Sequence, residues 1–299
     1  MKKSITLLLA MSLIFCLLSG CGASGQSATT TTTTETGTAT QTGTATQTGT
    51  QTETAEPVKL TVFAAASMTE AMNQIAELYK DVAPNVTLVY NFDSSGLLKT
   101  QIEEGADCDV FISAGQKQMD QLDITADASV NTDGLDFILA DSRFNIVSNS
   151  VVLIVPEGSD KGIASFDDVD TDKVSLIALG NSDVPAGQYA EQVFTYMNVW
   201  DDLNSKNKIS FATNVKEVLA QVQAASVDCG VVYSTDAETS TGVTVVAAAP
   251  EESHKAIVYP AAIINVNTNQ EAAEAFMEFL KSDACSAVFE SIGFSIPER

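Results

Sequence analysis

The chain has one histidine in 299 residues and only 15 lysines and arginines against 39 aspartates and glutamates, a formal charge of −24. That shortage of basic charge excludes a nucleic-acid binder, because phosphate contact needs clustered Lys and Arg. The single histidine, His254, lies in the polar run Glu251-Glu252-Ser253-His254-Lys255 and reads as a surface residue. No G-x-S-x-G elbow, H-E-x-x-H pair or P-loop occurs, and the five cysteines include no C-x-x-C pair. Catalysis by those devices, a bound free metal cation and a resident cofactor therefore lack support, and no enzymatic activity is expected. The carboxylates are plentiful, but plenty on an acidic surface singles out no catalytic pair. A small anion is still an admissible ligand, since exposed charge is screened over about 8 Å at physiological salt.

No apolar run reaches the roughly 20 residues of a transmembrane helix. Lys2 and Lys3 precede an apolar stretch over residues 5–18, which stops at Leu18-Ser19-Gly20-Cys21. Residues 1–20 thus read as a lipoprotein signal peptide, with Cys21 the lipidated residue. The expected location is extracytoplasmic, anchored by lipid to the outer face of the cell membrane. Gly20-Cys21-Gly22-Ala23-Ser24-Gly25 matches G-x-G-x-x-G by letter, but no strand precedes it and no helix follows. Residues 21–56 are mostly Thr, Gly, Ala, Gln and Ser, too poor in apolar side chains to offset ordering entropy. They read as a disordered tether with a root-mean-square span of roughly 30–35 Å. Of the cysteines beyond Cys21, Cys108, Cys229 and Cys285 sit among apolar residues and read as buried thiols. One disulfide among them is an open alternative outside the cell.

From residue 58 onward, short apolar runs alternate with helical periodicity. Strands are predicted over 59–66, 86–92 and 109–113, with helices over 69–80 and 97–104 between them. Residues 123–149 are polar and lack a clean period. Strands follow at 151–155, 174–179 and 229–233, and helices at 186–197 and 215–225. The end returns to the opening style, with a strand over 257–266 and helices over 269–281 and 284–292. This alternation predicts an α/β protein of mainly parallel sheets flanked by helices. It also predicts two lobes, one built from 57–145 with 241–299 and the other from 146–240.

In open α/β sheets ligands bind beyond the carboxyl ends of the strands. Four strand-to-helix junctions there are rich in small and capping residues. Ser67 and Glu70 have capping-box spacing, Asp93-Ser94-Ser95-Gly96 opens a helix, Pro185-Ala186-Gly187 opens another, and Asn214 with Glu217 again fits a capping box. Each helix start offers unpaired N–H groups and a partial positive charge. Several converging on one point would bind an anion without any lysine or arginine. Taken singly, each junction is better explained by ordinary capping; the four together balance the two readings.

The segments LTVFAAASMTEAM (60–72), FDSSGLLKTQIEEGA (92–106) and DVFISA (109–114) resemble the periplasmic molybdate-binding proteins of ABC transporters. So do VPAGQYA (184–190), GVVYSTDA (230–237) and a tail containing Ser253-His254-Lys255 and Tyr259-Pro260. The similarity runs in order through residues 58–296. It implies a two-lobed periplasmic-binding-protein fold of type II. The implied ligand is molybdate, and tungstate with it, captured between the lobes and passed to an ABC permease by a monomeric protein. It also implies the donors: Ser67 and Ser95 through hydroxyl and N–H, Ala186 and Val215 through N–H, and Tyr233 through its phenol. Sulfate or phosphate is the alternative ligand. Asp93 departs from the pattern by putting a carboxylate beside an anion site, so its side chain is expected to point away or to cap a helix.

Overall fold

The computed structural model describes residues 56–266 and 268–297. The signal segment, Cys21 and all but the last residue of the Thr-rich stretch lie outside the described residues.

Ten strands form two five-stranded sheets. The first has the order β2-β1-β3-β10-β4, from β1 (Val58–Ala65), β2 (Val86–Asp93), β3 (Val110–Ile112), β4 (Phe144–Asn149) and β10 (Ile257–Ile263). The second runs β7-β6-β8-β5-β9, from β5 (Val151–Pro156), β6 (Ile177–Gly180), β7 (Ile209–Ala212), β8 (Cys229–Tyr233) and β9 (Val243–Ala248). The helices are α1 (Thr69–Val82), α2 (Ser95–Glu103), α3 (Gln116–Asp120), α4 (Pro185–Tyr196), α5 (Trp200–Ser205), α6 (Val215–Gln223), α7 (Ser234–Glu238), α8 (Gln270–Phe279) and α9 (Asp283–Ser291).

Both sheets are mixed rather than mainly parallel. β1 pairs in parallel with β2 and β3, whereas β10 is antiparallel to β3 and β4. In the second sheet β6 is parallel to β7 and β8, and β5 is antiparallel to β8 and β9. The antiparallel strands are those flanking the crossings between sheets, where the chain arrives from the other half instead of through a local helix. The crossings fall at Ser150 and between Ala248 and Ile257, later than the boundaries at 145/146 and 240/241 read from the sequence. β4 and β9 are edge strands with several half-exposed positions, so neither stands out as an apolar run.

Alternation along β1 fixes two faces. Val62 and Ala64 join the main apolar cluster, while Phe63 packs with Leu98, Phe111 and Met119 in a second cluster. Cys108, Cys229 and Cys285 are buried and form no disulfide among the described residues. Burial pushes the Cys229 thiol up to about 12 and raises that of Cys108 as well. A thiol-specific chromogenic reagent at neutral pH is therefore expected to label none of the three in native residues 56–299 and all three in denaturant. Stoichiometric labelling of the native protein would contradict this packing.

Register places the functional edge. Ala65 lies opposite Asp93 at the ends of β1 and β2, so the segments carrying Ser67 and Ser95 leave the sheet side by side. Gly180 lies opposite Ala212 in the same way, and the segments leading to α4 and α6 leave together.

Candidate ligand-binding site

The four junctions differ in how each is built. After β1, residues Ala66–Met68 form a single tight 3-10 turn before α1. The capping box expected of Ser67 and Glu70 does not form: Met68 is the N-cap and offers no side-chain bond. The extra turn swings Ser67 inward, where its Oγ lies 3.0 Å from the Tyr259 hydroxyl, and Glu70 instead reaches Lys216 at 2.8 Å. After β2, Ser94 caps α2 by accepting from the Leu97 N–H. The Asp93 carboxylate is turned into that cap, accepting from the Ser94 N–H at 2.8 Å and from Asn214 Nδ2 at 3.3 Å. Both of its bonds come from neutral donors, one from the adjacent residue and one from the start of α6.

Pro185 is the first residue of α4, as its fixed φ favours. Gly187 behind it is obligatory, because a Cβ there would sit 2.1 Å from the Gly180 carbonyl oxygen. At α6, Asn214 accepts from the Glu217 N–H at 3.0 Å. The reciprocal bond shifts by one residue: Glu217 accepts from the N–H and hydroxyl of Thr213 at 2.7 and 2.8 Å. The N–H groups of Ser67, Ser95, Ala186 and Val215, each in a first helical turn, have no acceptor among the described residues.

Tertiary structure brings these starts together. The Ala114 peptide is shared: its N–H donates to Ser95 Oγ at 2.9 Å, and its carbonyl accepts from the Tyr233 hydroxyl at 3.2 Å. Tyr233 packs against Tyr259 with ring centroids 5.6 Å apart, and Tyr259 holds Ser67. The Gly96 N–H donates to the Asp183 carbonyl at 2.9 Å, clamping the start of α2 to the approach to α4. Lys216 joins Glu70 and lies 2.9 Å from Asp236 Oδ1, tying α6 to α1 and α7. Ser67, Ser95, Ala186, Val215 and Tyr233 are all at most 3 % exposed.

The five expected donor residues carry no formal charge. Burial holds the hydroxyls of Tyr233 and Tyr259 well above the ordinary phenol range, so both remain protonated donors. His254 is half-buried, with its ring 5.9 Å from that of Tyr189 and its Nδ1 on the Lys255 carbonyl. Among the described residues no group of His, Cys, Asp and Glu is arranged to hold a metal ion. The site can thus supply hydroxyl and backbone donors to an acceptor-only ligand, and little else.

Sequence reasoning passed over Asn149, Ala114, Lys216 and Asp236, and treated Tyr259 only as part of a motif. The available signals were a tyrosine within the buried strand Ile257–Ile263 and an asparagine ending β4.

A family model of bacterial extracellular solute-binding proteins matches residues 60–295. The molybdate-binding protein ModA of Haemophilus influenzae is 38% identical over 245 residues, covering 81% of this chain and 91% of that protein. ModA of Escherichia coli is 37% identical over 248 residues, with the same shares of 81% and 91%. The solved periplasmic molybdate-binding protein of Azotobacter vinelandii shares the fold with a TM-score of 0.68 at 24% identity, across 80% of this chain and 100% of that one.

Proposed function

Because the chain belongs to the bacterial extracellular solute-binding protein family, alongside the ModA proteins, we propose that it captures molybdate for an ABC importer. What supports this is that four buried first-turn N–H groups, without an acceptor among the described residues, lie on linked junctions. Ala114, Tyr259 and the Gly96–Asp183 bond join these to one another and to the hydroxyls of Ser67, Ser95 and Tyr233. Ser67, Ser95, Ala186, Val215 and Tyr233 supply the donors. Tyr233 exchanges its bond to the Ala114 carbonyl for one to the anion. Tetrahedral tungstate, with the same acceptor pattern, binds as well. The donors come from both lobes, so the ion favours the closed arrangement by its differential affinity for it. Lipid on Cys21 and the Thr-rich tether keep the monomeric protein at the membrane, where a permease receives the ion.

Calorimetric titration of residues 56–299 with molybdate, tungstate, sulfate and phosphate tests the assignment. Molybdate and tungstate are expected to bind tightly and the other two weakly or not at all. Preference for sulfate or phosphate would replace the ligand, and a flat response to all four would remove the transport reading. Ser67→Ala and Tyr233→Phe are each expected to weaken molybdate binding by roughly 1.5–3 kcal/mol, the worth of a hydrogen bond to a charged group. Wild-type affinity in both variants would show that the pocket lies elsewhere.

A further inference from the structure

A hydroxyl can donate or accept, and an oxyanion site works only if its hydroxyls point their protons at the ligand. We propose that Asn149 and Tyr259 are positioning residues that fix the Ser67 hydroxyl as a donor to the bound oxyanion. The inference rests on the reading of Ser67 as a ligand residue.

The chain of bonds has one consistent direction. Asn149 Oδ1 receives the Ser150 backbone N–H at 2.9 Å and the Ser234 hydroxyl at 2.9 Å. A backbone N–H can only donate, so this contact identifies the amide oxygen. Asn149 Nδ2 then donates to Thr235 Oγ1 at 3.0 Å and to the Tyr259 hydroxyl at 3.2 Å. Tyr259 is wholly buried; its hydroxyl lies 3.0 Å from Ser67 Oγ, and the Tyr233 hydroxyl is a second, longer neighbour already donating to the Ala114 carbonyl. The nitrogen of Asn149 cannot accept, and Ser67 Oγ is the acceptor at hydrogen-bond distance, so the phenolic proton goes to Ser67. To leave that proton unpaired in the interior would cost more than the bond is worth. Ser67 has thereby accepted, and its own proton is left for the ligand.

Ser95 is polarised by a second, independent contact. Its Oγ accepts from the Ala114 N–H, which again can only donate, and its proton too is free for the site. A pocket whose hydroxyls are held this way offers donors only. It suits an oxyanion without protons and opposes one, such as hydrogenphosphate, that must itself donate.

A double-mutant cycle on residues 56–299 tests the relay, with molybdate and inorganic phosphate as probes. Tyr259→Phe keeps the ring packed on Tyr233 and Phe294 and removes the hydroxyl, leaving Asn149 Nδ2 its bond to Thr235. It is expected to weaken molybdate binding about tenfold in the wild-type background, yet to add under twofold to Ser67→Ala. It should also narrow the preference for molybdate over phosphate, because Ser67 becomes free to accept. Losses that multiply in the double variant, or an unchanged molybdate affinity in Tyr259→Phe, would overturn the relay while leaving the ligand assignment intact. Failure of the wild-type protein to bind molybdate would instead sink the functional reading itself. Should Tyr259→Phe fold poorly by its melting curve, Asn149→Ala enters the same cycle one bond earlier, with the same non-additivity expected.

Discussion

Replacing Gly96 with alanine is expected to give a folded protein that has lost its ligand. Gly96 is the second residue of α2, and it does not need a positive φ. Alanine there costs the helix nothing and removes some unfolded-state freedom, so the first lobe is expected to be as stable as before or slightly more so. The closed arrangement is another matter. A Cβ on Gly96 would lie 2.4 Å from the Asp183 carbonyl oxygen and under 3 Å from the Asp183 Cα and Cβ. Two of these atoms are backbone, leading directly into the turn that starts α4 with Ala186. Relief requires the lobes to part, which separates Ser67 and Ser95 from Ala186, Val215 and Tyr233. A penalty of about 3 kcal/mol on closure lowers affinity roughly hundredfold. Calorimetry with molybdate, paired with a thermal melt, separates the two effects: affinity should collapse while the melting temperature holds or rises. X-ray scattering should show compaction with ligand in the wild type and none in the variant. Wild-type affinity in Gly96→Ala would mean that the Gly96–Asp183 contact is not part of the bound form.

Lys216→Met is expected to damage the fold itself, and in a pH-dependent manner. Asp236 is buried, and neither of its oxygens makes a well-directed hydrogen bond. Lys216 Nζ stands 2.9 Å from Oδ1, close enough for strong attraction although poorly aligned for a bond. Burial pushes the Asp236 carboxyl above its ordinary value, against the pull of Lys216. Burial also acts to lower the Lys216 ammonium, but Asp236 and Glu70 outweigh it and hold the ammonium above the usual lysine value. The raised Lys216 contributes stability that is full below the unfolded lysine pKa and is lost only as pH rises through its folded value. The raised Asp236 acts in the same sense over a lower pH range: its contribution is full below the unfolded carboxylate pKa and is lost as pH rises through its folded value.

Without the cation, Asp236 rises further and faces Glu70 with nothing between them. Breaking one side of such a pair is expected to cost about 3 kcal/mol at pH 7. The deficit should shrink towards acid pH, where Asp236 takes up a proton and the uncompensated charge disappears. Urea denaturation of wild type and variant at pH 5 and pH 7 measures this. Equal deficits at the two values would show that Lys216 acts by packing alone. Glu70→Gln, which touches only the half-exposed partner, is expected to cost 1 kcal/mol or less.

Much of this protein was legible in order along the chain. Apolar runs marked β1, β5 and β8, because strands buried on both faces read as such whatever surrounds them, while alternation marked the edge strand β2. Helical periodicity marked α1, α4, α6, α8 and α9 to within a few residues. Pro185 and Asn214 announced the starts they occupy, since a fixed φ and a capping carboxamide act locally. What failed was equally specific. β4, β7 and β9 include half-exposed positions, and their identity as strands depends on a neighbour that sequence does not display. Ser67 and Glu70 had the spacing of a capping box, but a 3-10 turn intervened and both side chains found partners over a hundred positions away, Tyr259 and Lys216.

The sequence by itself therefore determined the α/β alternation, the neutral character of the four helix starts, and the scarcity of basic residues that leaves an anion to neutral donors. Tertiary structure alone decided that those starts are linked across the molecule, that Asp93 accepts from Asn214, and that Asn149 and Tyr259 reach a serine far from them in the chain. The physical reason is range. Dihedral preference and capping act over three or four residues, whereas a hydroxyl's direction is set by whichever buried donor the fold places against it.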